Sequence, residues 1–126
     1  TTGDILPQSD DGNNIGGVSN RIRALWLSRA LISSGASPTG SGTCPINTQL
    51  GGNLAGAFKA DGACVGGTIT LTMLQTVPNG FACTANDLTT PATLIKQTAY
   101  TTTSVTFTVT GTMASGDNAT YQCTGF

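Results

Sequence analysis

From Gly66 onward the chain alternates apolar residues with threonines, one for one, and that rhythm fits only one kind of backbone. Side chains two residues apart share a face of a β-strand, whereas helical neighbours recur every three or four residues. In Gly67–Leu74, Ile69, Leu71 and Met73 fall on one face, opposite Thr68, Thr70 and Thr72. The stretch after Gly80 sets Phe81, Cys83 and Ala85 against Ala82 and Thr84. Val105, Phe107 and Val109 oppose Thr106, Thr108 and Thr110, and Ala119, Tyr121 and Cys123 oppose Thr120, Gln122 and Thr124. Two weaker strands are expected at Gly56–Ala60 and Leu94–Tyr100. Threonine supplies 18 of the 61 residues from Gly66 to the last. It is β-branched, which suits a strand, and its hydroxyl keeps a solvent face polar without charge.

Turn chemistry punctuates the pattern at Asp61-Gly62, Pro78-Asn79-Gly80, Pro91 and Gly116-Asp117-Asn118. Six short strands at this spacing predict an all-β domain: a small antiparallel β-sandwich, jelly-roll-like, or an open barrel. At 126 residues the chain has room for one such domain and an extension. Charged residues make up 9%, all six acids are Asp, and five Lys and Arg leave a net charge of −1. A basic track for nucleic acid is therefore not expected. No apolar run approaches the roughly 18 residues of a membrane helix.

Ser33–Thr43, SSGASPTGSGT, has the composition of a flexible connector. It divides the chain into an arm, residues 1–32, a linker, residues 33–43, and a distal domain, residues 44–126. Within the arm, Ile22, Leu25, Trp26 and Ala30 share a helical face, while Leu25, Leu27 and Leu31 also fit alternation, so residues 21–31 are open to helix or strand. Thr1-Thr2-Gly3 reads as the interior of a longer chain.

The chemistry-bearing residues are sparse. Histidine is absent, which removes the commonest general base and zinc ligand. Asp61, Asp87 and Asp117 sit singly beside turn residues and are read as turn formers, bonding nearby backbone amides. A catalytic pair of carboxylates would have to converge in a cleft, and the spacing offers none. Ser9–Asn14 superficially resembles a calcium loop, but Arg21 stands where the closing acid is required. No metal, no cofactor and no catalytic residue is assigned, and an enzyme is not expected. Asn118-Ala119-Thr120 matches a glycosylation acceptor and is read as coincidence on a strand.

Cys44, Cys64, Cys83 and Cys123 lack any C-x-x-C spacing, so neither a zinc site nor a redox motif is indicated. Cys83 and Cys123 have the parity of their apolar neighbours and should both point inward. A pairing of Cys83 with Cys123 and Cys44 with Cys64 fits that parity; buried free thiols are the alternative.

Two segments resemble parts of bacteriophage tail-fibre proteins. The first runs from Ile5 and Pro7 through Asp10-Asp11-Gly12-Asn13-Asn14 and Ile15-Gly16 to Arg21, Arg23, Trp26 and Leu25, Leu27, Ser28. It is similar to a fibre-shaft segment, although Arg-Ala-Leu stands between Ile22 and Trp26 where an Arg-Trp pair is commoner. The second begins at Cys44 and continues through Leu54-Ala55-Gly56, Cys64 with Gly67-Thr68-Ile69-Thr70, and Gly80-Phe81-Ala82-Cys83. It closes with Thr101-Thr102-Thr103, Gly116-Asp117 and Tyr121-Gln122-Cys123-Thr124-Gly125-Phe126, and is similar to a small C-terminal fibre domain.

The resemblance implies a structural virion protein, made in the bacterial cytoplasm, at the distal end of a tail fibre that attaches to the host surface. It implies a homotrimer, touching other virion proteins and a bacterial surface receptor or polysaccharide. Because phage proteins fold in a reducing cytosol, it also weighs toward free thiols. The arm's apolar residues Ile5, Leu6, Ile15, Ile22, Leu25, Trp26 and Leu27 agree with trimerisation, since so short a segment needs partner copies to bury them. Host contact is expected in apical loops, Thr76–Asn79 and Asn86–Ala92, with Thr76, Asn79, Asn86, Asp87 and Tyr100 as the residues singled out, and Tyr100 or Phe126 adding an aromatic surface. The other class of function is a capsid or tail decoration protein, whose arm tethers the β-domain to neighbouring subunits.

Overall fold

Ten strands, all antiparallel to their neighbours, follow one another through residues 36–126, the part of the chain described by this computed structural model. They are β1 (Thr39–Ser41), β2 (Ile46–Gly51), β3 (Ala55–Ala60), β4 (Cys64–Val65) and β5 (Thr68–Thr72). After them come β6 (Phe81–Asp87), β7 (Leu94–Tyr100), β8 (Ser104–Thr110), β9 (Thr112–Met113) and β10 (Asn118–Gly125). The arm and the six residues expected at a trimer interface, Ile5, Ile15, Ile22, Leu25, Trp26 and Leu27, lie outside the described residues.

Eight of the strands make one sheet in the order β1-β5-β8-β7-β6-β10-β3-β2. That sheet curls until its two edges face each other, giving a near-closed eight-stranded barrel. Of the two architectures the alternation allows, a two-sheet sandwich and an open barrel, the single curled sheet is a barrel, and a nearly closed one. The reason lies in β1 and β2, which the composition conceals: they extend the sheet at both edges and bring it round. β1 falls inside the stretch read as a connector. A side chain at Gly40 would collide with Ile46 Cδ1 across the seam, so glycine is what allows the edges to approach. The linker-like composition there is a steric requirement of closure.

Inside the barrel the alternation holds. Ile69, Leu71, Val105, Phe107, Val109 and Ala119 are fully enclosed, and Phe58 stacks on Tyr121 with ring centroids 6.4 Å apart. Each large apolar side chain so enclosed contributes about 1.5–3 kcal/mol relative to exposure. Outside, threonines stand opposite one another across the register, and Thr70–Thr106 and Thr98–Thr108 join hydroxyls at 3.0 and 2.9 Å.

The two ends of the barrel differ. At one, here the carboxylate end, a two-stranded ribbon of β4 and β9 packs Met113 beneath the core beside Cys44 and Cys64. At the other, here the aromatic end, Tyr100 and Phe126 lie edge to face with centroids 5.5 Å apart. Strand β1 is entered from the aromatic end, where Thr39 pairs with Thr72, and β10 finishes there, where Gly125 pairs with Phe81.

Candidate functional site

The residues singled out for host contact separate into two groups when mapped onto the register. Strand β6 starts at the aromatic end and finishes at the carboxylate end, and β7 returns. Thr76, Asn79 and Tyr100 therefore sit at the aromatic end, and Asn86 and Asp87 at the opposite one. A seven-residue strand is about 23 Å long at 3.3 Å per residue, so the five do not form one surface.

At the aromatic end, the loop 74–80 is held mainly by backbone, with Leu74 N–H donating to Asn53 Oδ1 at 3.0 Å where the loop begins. Phe126 N–H donates to Gly80 O at 3.0 Å, Asn79 N–H to Phe126 O at 2.8 Å, and Val77 N–H to Thr102 O at 2.9 Å. Gly80 lies under the Tyr100 ring, with φ at 158° and no room for a side chain. Tyr100 and Phe126 remain about half exposed. At the β2–β3 turn the buried Tyr121 hydroxyl donates to Gly52 O at 2.7 Å, and burial pushes its pKa up to about 12.

At the carboxylate end Asp87 and Asp117 turn inward, while Asp61 stays exposed and accepts from Asn47 Nδ2 at 2.7 Å. Asp87 is 4% exposed, so it is not a contact residue. Its Oδ1 accepts from Thr89 N–H and Thr90 N–H at 2.9 and 2.8 Å, folding the loop that follows β6. Asp117 is equally buried, and its Oδ2 accepts from Ala114 N–H at 2.8 Å and from the Thr90 hydroxyl at 3.1 Å. Both behave as the turn formers expected from their neighbours. Asp87 Oδ2 is the buried side-chain polar atom left without a hydrogen bond among the described residues. No group of three Asp or Cys side chains that could hold a metal occurs among them either.

The cysteines bond as Cys83–Cys123 and Cys44–Cys64. The first pair are direct cross-strand neighbours on β6 and β10, with Cα atoms 4.1 Å apart. The second ties the β1–β2 loop to β4 at the carboxylate end.

One functional-looking element has no counterpart in the sequence reading. Backbone pairing of β6 with β7 covers only Ala85 with Ile95 and Asn86 with Leu94. Beyond it the Gln97 amide spans the gap, accepting from Cys83 N–H at 2.6 Å and donating to Phe81 O at 2.7 Å. The outer side of this hairpin holds a hollow of about 330 Å³ bordered by Asn86, Leu88, Pro91, Leu94 and Lys96. A second hollow of about 300 Å³ lies beside it over β10 and β3 and shares Asn86. A lone glutamine inside the weakly patterned strand β7 gives no sign of such a role.

No protein-family model, no curated protein and no solved structure matches this chain.

Proposed function

We propose that this chain is a non-enzymatic virion component, the distal part of a phage tail fibre that attaches to the bacterial surface. The observation that carries the reading furthest is the ordered tandem of two fibre-like segments, from Ile5–Ser28 and from Cys44–Phe126. The barrel's chemistry is compatible with it. Asp87 Oδ1 and Asp117 Oδ2 are occupied in turns, the interior is apolar, and the outer face offers hydroxyls and amides on a scaffold cross-linked twice. Such a body suits repeated weak contact with a surface polymer, and assembly as a homotrimer through Trp26 and its apolar neighbours would multiply each contact into stable attachment.

The test uses the full chain. Light scattering should report a trimer, and the purified protein should bind host cells or their surface polysaccharide while leaving the polymer's length unchanged. Release of oligosaccharides would replace attachment with hydrolysis. A monomer that binds no cell and associates stably with capsid or tail subunits would assign the chain to decoration of the particle.

A further inference from the structure

We infer that the outer face of β6, β10 and β3 is a binding site for a neutral oligosaccharide, a proposal that rests on the attachment reading and locates it. The argument begins with where the hydroxyls go. On the β5–β8–β7 side of the barrel, threonines satisfy one another: Thr70 with Thr106, Thr98 with Thr108, Thr101 with Ser104. On the β6–β10 side, the corresponding outward positions carry Thr84, Asn86, Thr120 and Gln122. Among the described residues none of these four side chains makes a hydrogen bond within the chain.

The register sets them in two rows. Ala57, Thr120, Asn86 and Leu94 lie side by side across four strands, and Ala55, Gln122 and Thr84 form the row beside them. Directly opposed side chains in such rows are about 4.5–5.5 Å apart, so the amides and hydroxyls converge on one ligand. Alanines on β3 keep that side low, and the Leu88–Leu94 loop rises on the other. The result is two adjoining hollows of about 330 and 300 Å³ with Asn86 between them. Leu88 and Leu94 are 60% and 48% exposed, apolar walls beside polar groups.

This combination selects a class of ligand. Amides and hydroxyls both donate and accept, as sugar hydroxyls do, while the aliphatic walls match the C–H faces of a pyranose ring. Charge is balanced: one cation and one acid line the first hollow, Lys96 at its border and the buried Asp87. A polyanion would meet one cation. A peptide adding as a strand would need an unpaired edge, and β6, β10 and β3 are each paired on both sides.

The experiment is a backbone-amide NMR titration of the isotope-labelled full chain with neutral oligosaccharides of hexose and N-acetylhexosamine, tetrasaccharide or longer. Shifts should concentrate at Thr84, Asn86, Thr120 and Gln122. Asn86→Leu and Gln122→Leu should each weaken binding about tenfold, the effect of losing one or two hydrogen bonds to a polar ligand, with an unchanged Tm. Thr106→Val, on the self-paired side, should bind as the parent does. The proposal is overturned by shifts confined to other faces, by full affinity in Asn86→Leu, or by preference for acidic sugars over neutral ones. Cell binding that persists without oligosaccharide shifts removes this site and leaves attachment standing; shifts at this face in a chain that binds no cell remove attachment and leave the site.

Discussion

The carboxylate end adds two buried carboxylates to its backbone bonds, whereas the loop over the aromatic end is held mainly by backbone. At the first, Asp87 and Asp117 reach inward and gather the amides of Thr89, Thr90 and Ala114. At the second, the amides and carbonyls of Asn79, Gly80 and Phe126 bond to one another, and the rings of Tyr100 and Phe126 are left facing out. A closure made of side chains can be undone by one substitution, because each carboxylate satisfies several groups. A closure made of backbone tolerates substitution wherever a side chain has room, Gly80 and Gly125 excepted, and leaves the rest of its surface free to vary. The difference predicts which residues stability depends on, and it can be broken in four ways.

The largest effect should come from the cross-links, one near each end. In the chain-entropy account, converting both Cys83 and Cys123 to Ser costs about 4 kcal/mol, and converting Cys44 and Cys64 costs about 0.6 kcal/mol less because the loop is half as long. Urea unfolding of the two double variants measures this. A larger loss for the Cys44–Cys64 pair would show that the carboxylate end depends on its cross-link beyond the entropy of the loop.

Next, Asp117→Ala should cost about 2–3 kcal/mol, since the Ala114 amide and Thr90 hydroxyl lose their acceptor in a part-buried site. Amide exchange should rise across residues 88–92 and 111–117 and remain unchanged in 74–80. Exchange rising equally at both ends would dissolve the distinction.

Tyr121→Phe should cost about 1 kcal/mol at neutral pH through the lost bond to Gly52 O. Its pH signature is more specific. The folded pKa is raised from 10.0 to about 12, so between those values the unfolded chain has released its proton and the folded chain retains it. Stability from this group is complete below pH 10, declines as pH rises, and is gone above about 12. Chemical denaturation across that window should show a shallower alkaline decline in the Phe variant; identical slopes would contradict the assignment.

The smallest effect belongs to Tyr100→Ala, expected to cost about 0.5–1 kcal/mol for an exposed aromatic pair. A loss above about 2 kcal/mol would mean that the rings, and not the backbone beneath them, close this end.

Much of this was legible wherever a strand buries one face. Val105, Phe107 and Val109, or Ala119, Tyr121 and Cys123, announce their side of the sheet by parity, and the weak strand Leu94–Tyr100 was placed to the residue. Four strands were not legible, each for a physical reason. β1 has a glycine at its centre because Ile46 presses against it, and β2 breaks period at a bulge between Asn47 and Leu50. β4 and β9 are two residues each, too short to show a period. The contact residues divide for another reason. Asn79 and Asn86 are close in sequence, yet a strand carries them to opposite ends, and Asp87 lies inside, where its Oδ1 takes the two amides of the turn. The hollow shared through Asn86 is a product of register, which aligns Thr120 and Gln122 with residues far away in the chain.

The position of the cross-links has a mechanical meaning. Pulled from the side of Thr39, the domain can peel only as far as Cys44, where tension jumps to Cys64; pulled at Phe126, β10 can peel only to Cys123, where it jumps to Cys83. Between those stops, the Cys64–Cys83 segment, with β5 at its centre, is the sole stretch of the barrel that tension must follow through the backbone. A domain strung this way can lengthen under tension only by the few peeled residues and that one segment, far less than its whole chain, because the loops behind each bridge carry none of the load.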